Sequence, residues 1–156
     1  MNADPAVMEH FPELLSSRQS DELVERIESG FAEHGFGLWA LEVRETEEFI
    51  GFAGLAVPSF DAHFTPAVEV GWRLARSAWR NGYATEAARA AVCFGFEEVG
   101  LEEIVSFTVP ANRRSRAVME RIGMSRDPAD DFDHPGLPVG HPQRPHVLYR
   151  IGAPDR

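Results

Sequence analysis

Apolar residues recur at helical spacing early in the chain and alternate with polar ones later. Leu23, Ile27 and Phe31 mark one face of an amphipathic helix. Ser20 reads as its N-cap, with Asp21 and Glu22 in the first turn, and the helix ends near Gly35. Gly37 to Val43 and Phe49 to Val57 read as strands around the polar turn Arg44 to Glu48, which predicts a hairpin. After a loop from Pro58 to Pro66, Ala67 to Ala75 alternates as a third strand. An alanine-rich helix runs from near Ala84 to about Val99 and stops at Gly100. Glu103 to Val109 is a strand closed by Pro110. Asn112 caps a short helix that carries Val118, Met119 and Ile122 on one face and ends at Gly123. Asp127 to Pro145 holds many prolines, glycines and acids and reads mostly as loop, and His146 to Ile151 is a last strand. This order predicts a mixed α/β or α+β sheet with a strand–helix–strand crossover over residues 67–109. The length predicts a single domain over residues 1–156.

Composition narrows the partners. A hydrophobic share of 44% is enough for a sizeable core. No apolar run is long enough for a membrane span, and the first residues lack the features of a secretory signal. With Cys93 as its one cysteine, the chain is expected to be cytoplasmic. A net charge of −10 argues against nucleic acid and weakly favours cationic partners. Every basic residue is arginine. Cys93, among Ala90, Ala91 and Phe94, is expected to be a packed, inert thiol. His134, His141 and His146 match no common ligand spacing, so no metal is expected. Phe36, Trp39, Phe49, Phe52 and Trp72 are expected in the core.

The chemistry concentrates at Trp79 to Glu86, where a glycine-containing turn runs straight into a helix. Such a junction aims unpaired N–H groups at one point with the helix dipole behind them, which suits a phosphate. The plain alternative is a surface turn before a helix. The surroundings add to it. Glu69-Val70-Gly71-Trp72-Arg73-Leu74 precedes the turn, and Asn112 through Met124 opens a second helix after the next strand.

These three blocks, in this order, resemble the GNAT superfamily of acetyl-CoA-dependent N-acetyltransferases. The branch they most resemble acetylates the N-termini of ribosomal proteins. The resemblance covers about residues 1 to 151, although Trp79 stands where the superfamily's pyrophosphate motif usually has Gln or Arg. It implies a mostly antiparallel central sheet with flanking helices. It also implies that the backbone N–H groups of Arg80, Asn81, Gly82, Tyr83, Ala84 and Thr85 hold the CoA pyrophosphate, with Arg80 adding a charged contact. Asn112 would reach the pantetheine arm, as well as or instead of capping its helix. Ser115 would protonate the departing thiolate, or else be an ordinary first-turn serine. No tyrosine stands near enough in sequence to take that role.

Glu69 is the candidate general base. A carboxylate partly buried beside a cleft has its pKa raised into the useful range. The amine it frees would attack the thioester directly, and a backbone N–H near Gly71 to Arg73 would hold the oxyanion. The alternative is an exposed strand glutamate. The resemblance also places the Asp127–Pro145 loop near the acceptor side, which implies that His134 or His141 lines the acceptor cleft. The resemblance implies an amine acceptor, either a peptide N-terminus or a small amine, and a monomer or homodimer. Relatives usually begin with an extra strand before a helix that Asp4 to Met8 resembles. This chain is expected to lack that strand and to leave Gly37–Val43 as an open edge. The competing reading is a non-catalytic acyl-CoA-binding module or an inactive, truncated copy.

Overall fold

The computed structural model describes residues 1–154. Its first helix, α1 (Ser17–His34), is started by Ser16 rather than Ser20. Ser16 Oγ accepts the Gln19 N–H at 3.2 Å, and Gln19 Oε1 accepts the Ser16 N–H at 2.8 Å. This reciprocal pair satisfies two orphan donors at once, which is why the earlier serine wins. The helix ends at Gly35 in the left-handed conformation, φ 76°. It touches the sheet through Phe31, whose ring meets Trp39 edge-on at 5.6 Å.

Six strands follow: β1 (Leu38–Val43), β2 (Glu48–Ala56), β3 (Glu69–Leu74), β4 (Glu103–Thr108), β5 (Phe132–Asp133) and β6 (Pro145–Gly152). They form one sheet in the order β1-β2-β3-β4-β6-β5. Only β3 and β4 are parallel, joined by a crossover through α2 (Tyr83–Phe94). The other four pairings are antiparallel, so the fold is α+β and mostly antiparallel. The expected long helix divides: α2 stops at Phe94, and a π turn carries Gly95–Val99 to Gly100. α3 (Arg113–Arg121) begins at Asn112. The short β5 occupies part of the segment read as loop.

Among the described residues no strand precedes β1, which lies at the sheet edge and pairs only with β2. Asp4–Met8 is not helical. It folds as turns, with Met8 N–H on Asp4 O at 3.0 Å and Ala6 N–H on Asp4 Oδ1 at 2.8 Å.

Strand alternation sorts the sheet into two faces. Leu55, Val70, Ile104, Val147 and Tyr149 point to one face and pack under α2 and α3 with Ala88, Ala91, Val118 and Met119. Val105 and Leu148 point the other way, against Phe60, Phe64, Phe107 and Phe132. No α-helix covers this second face around Phe107. Residues from the segments 58–66 and 132–146 pack there instead. Two expectations about single residues fail. Phe49, at the start of β2, is 58% exposed. Cys93 is exposed rather than packed, and a hydrogen bond to Glu97, with burial and the Glu97 and Glu98 charges, pushes its thiol above the ordinary value.

Candidate active site

The parallel pair β3–β4 barely pairs. Its register contains one partner couple, Glu69 with Val105, anchored by the Val105 N–H on Val68 O at 2.9 Å. One step on, Val70 O is taken by the hydroxyl of buried Ser106 at 2.8 Å. A side chain has replaced a ladder bond, and beyond it the two strands part. The cavity runs through this wedge and holds about 540 Å3. On the helix face its walls include Trp72, Leu74, Trp79, Ala84, Ser115 and Met119; on the opposite face they include Glu69, Arg73, Phe107, His134 and His146. Two ligands entering from opposite faces can therefore meet between Gly71 and Ser106.

On the helix face lies the turn before α2. Gly82, at φ 82°, is the N-cap and supplies no side-chain cap. The first helical backbone bond is Glu86 N–H to Gly82 O at 3.0 Å. The N–H groups of Tyr83, Ala84 and Thr85 thus have no partner within the helix. A Cβ built on Gly82 meets nothing within 4 Å, so the space before these donors is open. Asn81 Nδ2 braces the turn on Ala78 O and Trp79 O at 3.2 and 3.1 Å. Trp79 Nε1 donates to Leu74 O at 3.1 Å, and its ring carries the Arg114 guanidinium at 4.1 Å. Free donors at a helix start and an open approach fit a pyrophosphate.

Asn112 caps α3. Its Oδ1 accepts the Ser115 N–H at 3.2 Å, and its Nδ2 donates to Thr108 Oγ1 at 2.9 Å. Both polar groups of its side chain are thus engaged within the fold. Ser115 lines the cavity with its hydroxyl unpartnered among the described residues. No tyrosine lines the cavity among those residues. Tyr149 is buried and donates to Glu120 Oε1 at 3.0 Å.

Glu69 stands on the other face, within the cavity wall. It keeps some accessible surface, but protein surrounds its carboxyl closely, and desolvation pushes the pKa up from 4.5 to about 8. No bonded partner offsets this among the described residues. Gly71 leaves its flank open: a Cβ there would meet only Glu69 Oε1, at 3.7 Å. The exposed, solvent-facing glutamate is therefore not what the fold contains.

The cavity thus gathers Glu69, Ala84, Asn112 and Ser115. It leaves Arg80, Asn81, Gly82, Tyr83 and Thr85 outside its walls, with Arg80, Asn81 and Gly82 on the open surface. His134 lines the cavity and His141 does not; His141 Nδ1 instead accepts the Gln143 N–H at 3.1 Å. His134 and His146 lie ring to ring at 5.1 Å, and desolvation lowers both pKa values. His134 Nδ1 accepts from Gly136 N–H and His146 Nδ1 faces Arg144 O. In their neutral forms one therefore presents an Nε2 donor and the other an Nε2 acceptor. The sequence reading missed Arg73, Ser106, Gln143 and the walls supplied by Ala6, Val7, His10, Phe11 and Pro12. Arg73 had a signal, since it shares strand parity with Glu69. The others are brought in by loops that carry no periodicity.

A splayed parallel strand pair behind a glycine turn, with a cavity crossing the sheet, lets a phosphate-bearing donor and a second substrate meet within the sheet. The model of the acetyltransferase (GNAT) domain matches residues 1–125, and the chain belongs to this family. YkkB of Bacillus subtilis, whose function is uncharacterized, is 40% identical over 124 residues, covering 78% of this chain and 69% of its own. The FsC-acetyl coenzyme A-N(2)-transacetylase of Aspergillus fumigatus is 39% identical over 95 residues, covering 58% of this chain and 40% of its own. The crystal structure of an acetyltransferase from Agrobacterium tumefaciens superposes with a TM-score of 0.75 at 30% identity, over 96% of this chain and 79% of its own.

Proposed function

We propose that this protein transfers the acetyl group of acetyl-CoA to a primary amine by direct attack in a ternary complex. The observation that carries this is the through-sheet cavity with Glu69 at its far side and the open α2 N-terminus at its near side. In this reading the N–H groups of residues 80–85 hold the pyrophosphate, and the pantetheine passes Asn112 into the wedge. The amine enters from the opposite face and loses a proton to ionised Glu69, directly or through water. Its nitrogen then attacks the thioester carbonyl. A backbone N–H of Gly71 to Arg73, freed where β3 and β4 part, holds the oxyanion. As the tetrahedral intermediate collapses, the C–S bond breaks, Ser115 gives its proton to the thiolate, and the second proton leaving the amine nitrogen replaces it on Ser115 through water.

The acceptor is a small amine or a peptide N-terminus. The relative from Aspergillus, named for transfer from acetyl coenzyme A to N(2), supports a nitrogen acceptor. The peptide alternative rests on the three sequence blocks. Thiol release from acetyl-CoA with a panel of amines and peptides tests the reading. Glu69→Gln is expected to lower kcat/KM by about 100- to 10,000-fold while CoA still binds. CoA binding without turnover by the wild type across the panel would mean a binding module, and failure to bind CoA would remove the reading altogether.

A further inference from the structure

Among the described residues Arg73 is a cation without an anion. It lies in the cavity wall, four residues along β3 from Glu69 and on the same face. Its guanidinium lies over the Phe11 ring at 4.2 Å and faces Phe52 at 5.3 Å. Nη1 donates to Asn2 Oδ1 at 3.0 Å, while Nε is shut from solvent with no acceptor. Among the described residues no carboxylate forms a salt bridge with it. Desolvation lowers its pKa to about 10, which still leaves it charged at neutral pH.

The rest of the cavity offers no compensation. Glu69 is the only acidic residue among the described walls, and burial keeps it largely protonated near neutrality. The other lining guanidinium, Arg114, is already paired with Glu9 at 3.0 Å and stacked on Trp79. A second orphan has the opposite sense. Gln143 donates through Nε2 to Glu9 O at 3.2 Å, which leaves its buried Oε1 without a donor. A buried guanidinium wants an anion and a buried amide oxygen wants an N–H. A polyamine would need several carboxylates, and the cavity has one.

We propose that the acceptor is an amine that also carries a carboxylate, and that Arg73 binds the carboxylate. The inference rests on the acceptor site described above. The donor that a carboxylate meets is Nη2, which has no partner among the described residues and is not shut from solvent as Nε is. The molecule's charge of −10 lies elsewhere, so it does not set the acceptor's charge.

The test compares matched acceptors with saturating acetyl-CoA: L-leucine with 3-methylbutylamine, 4-aminobutyrate with propylamine, and 6-aminohexanoate with pentylamine. At least one carboxylated acceptor is expected to exceed its partner by about tenfold or more in kcat/KM. Arg73→Gln is expected to erase that preference by raising KM for the carboxylated acceptor, with CoA affinity unchanged, and Arg73→Lys to restore part of it. Transfer without preference within any pair overturns the inference and leaves the acetyltransferase reading intact. Equal loss on both members of a pair in Arg73→Gln makes the residue a clamp for Asn2 and Phe11, and also overturns it. The wild-type comparison decides even where the variant fails to fold. CoA binding with no transfer to any of the six probes removes small amines as acceptors, and this inference with them.

Discussion

At the scale of one residue, Glu69 joins two opposed demands. In the proposed reaction it must be ionised to take the amine's proton; buried, it resists ionising. Its pKa near 8 therefore sets the working range. The rate is expected to rise with pH through about 8 and then level, and Glu69→Gln is expected to remove that limb from the kcat/KM profile. The same burial costs stability. Below about pH 4.5 Glu69 holds its proton in both folded and unfolded states and contributes nothing. Between 4.5 and about 8 the unfolded chain releases a proton that the folded state retains, so stability falls as pH rises, and above 8 the loss is complete. Glu69→Gln carries no such penalty. Urea unfolding at pH 4.5 and pH 8 is expected to show the variant gaining on the wild type by roughly 3–5 kcal/mol across that window. An unchanged difference would mean that the carboxyl is not desolvated.

At the scale of the elements, the turn–helix junction and the strands before it do different work. Gly82 faces open space, so its substitutions separate strain from ligand exclusion. Gly82→Ala is expected to cost about 1 kcal/mol for a side chain at φ 82°. Gly82→Asp adds a carboxylate at the site proposed for the pyrophosphate and is expected to weaken CoA binding by tenfold or more, about 1.4 kcal/mol, measured by titration calorimetry. Gly54 in β2 is the converse. A Cβ there would lie 2.1 Å from Gly37 O, backbone that cannot yield, so Gly54→Ala is expected to lower stability by about 2–4 kcal/mol. The elements themselves were legible. Strand alternation and the alanine-rich helix are local signals, and each expected strand lies within a residue or two of its observed span. The starting point of α1 was legible too, since Ser16 and Gln19 have capping-box spacing, but the acids after Ser20 pointed to the wrong serine. The wedge was not. Ser106 reads as an ordinary strand residue, and only the paired strands show that its hydroxyl replaces a ladder bond.

At the scale of the whole molecule, the two ligand entrances have different builders. The side proposed for CoA is made of α2 and α3, whose residues are close in sequence and carry motifs. The opposite side is assembled from three distant stretches, residues 2–12, β3 and the loop before β6, tied by Asn2 to Arg73 and Gln143 to Glu9 O, while Glu9 also reaches across to Arg114 of α3. That is why half the site could be read and half could not: Arg73 looks like one more arginine until its surroundings show that no carboxylate among the described residues pairs with it. The first residues form no strand and no helix, yet Met8 is 3% exposed and Phe11 covers Arg73. They form the cavity wall around Arg73, on the side proposed for the acceptor. Deleting residues 2–12 is expected to leave CoA affinity within about threefold, because the one bond these residues make on that side, among the described residues, is the exposed Glu9–Arg114 pair and none reaches Arg80–Thr85. The same deletion is expected to raise the acceptor KM by at least about tenfold as the wall over Arg73 is lost. Phe11→Ala is the milder form, removing one ring from the guanidinium, and is expected to raise the acceptor KM about threefold. If the deletion weakened CoA and acceptor equally, the segment would be a general brace for the fold and not a wall of one entrance.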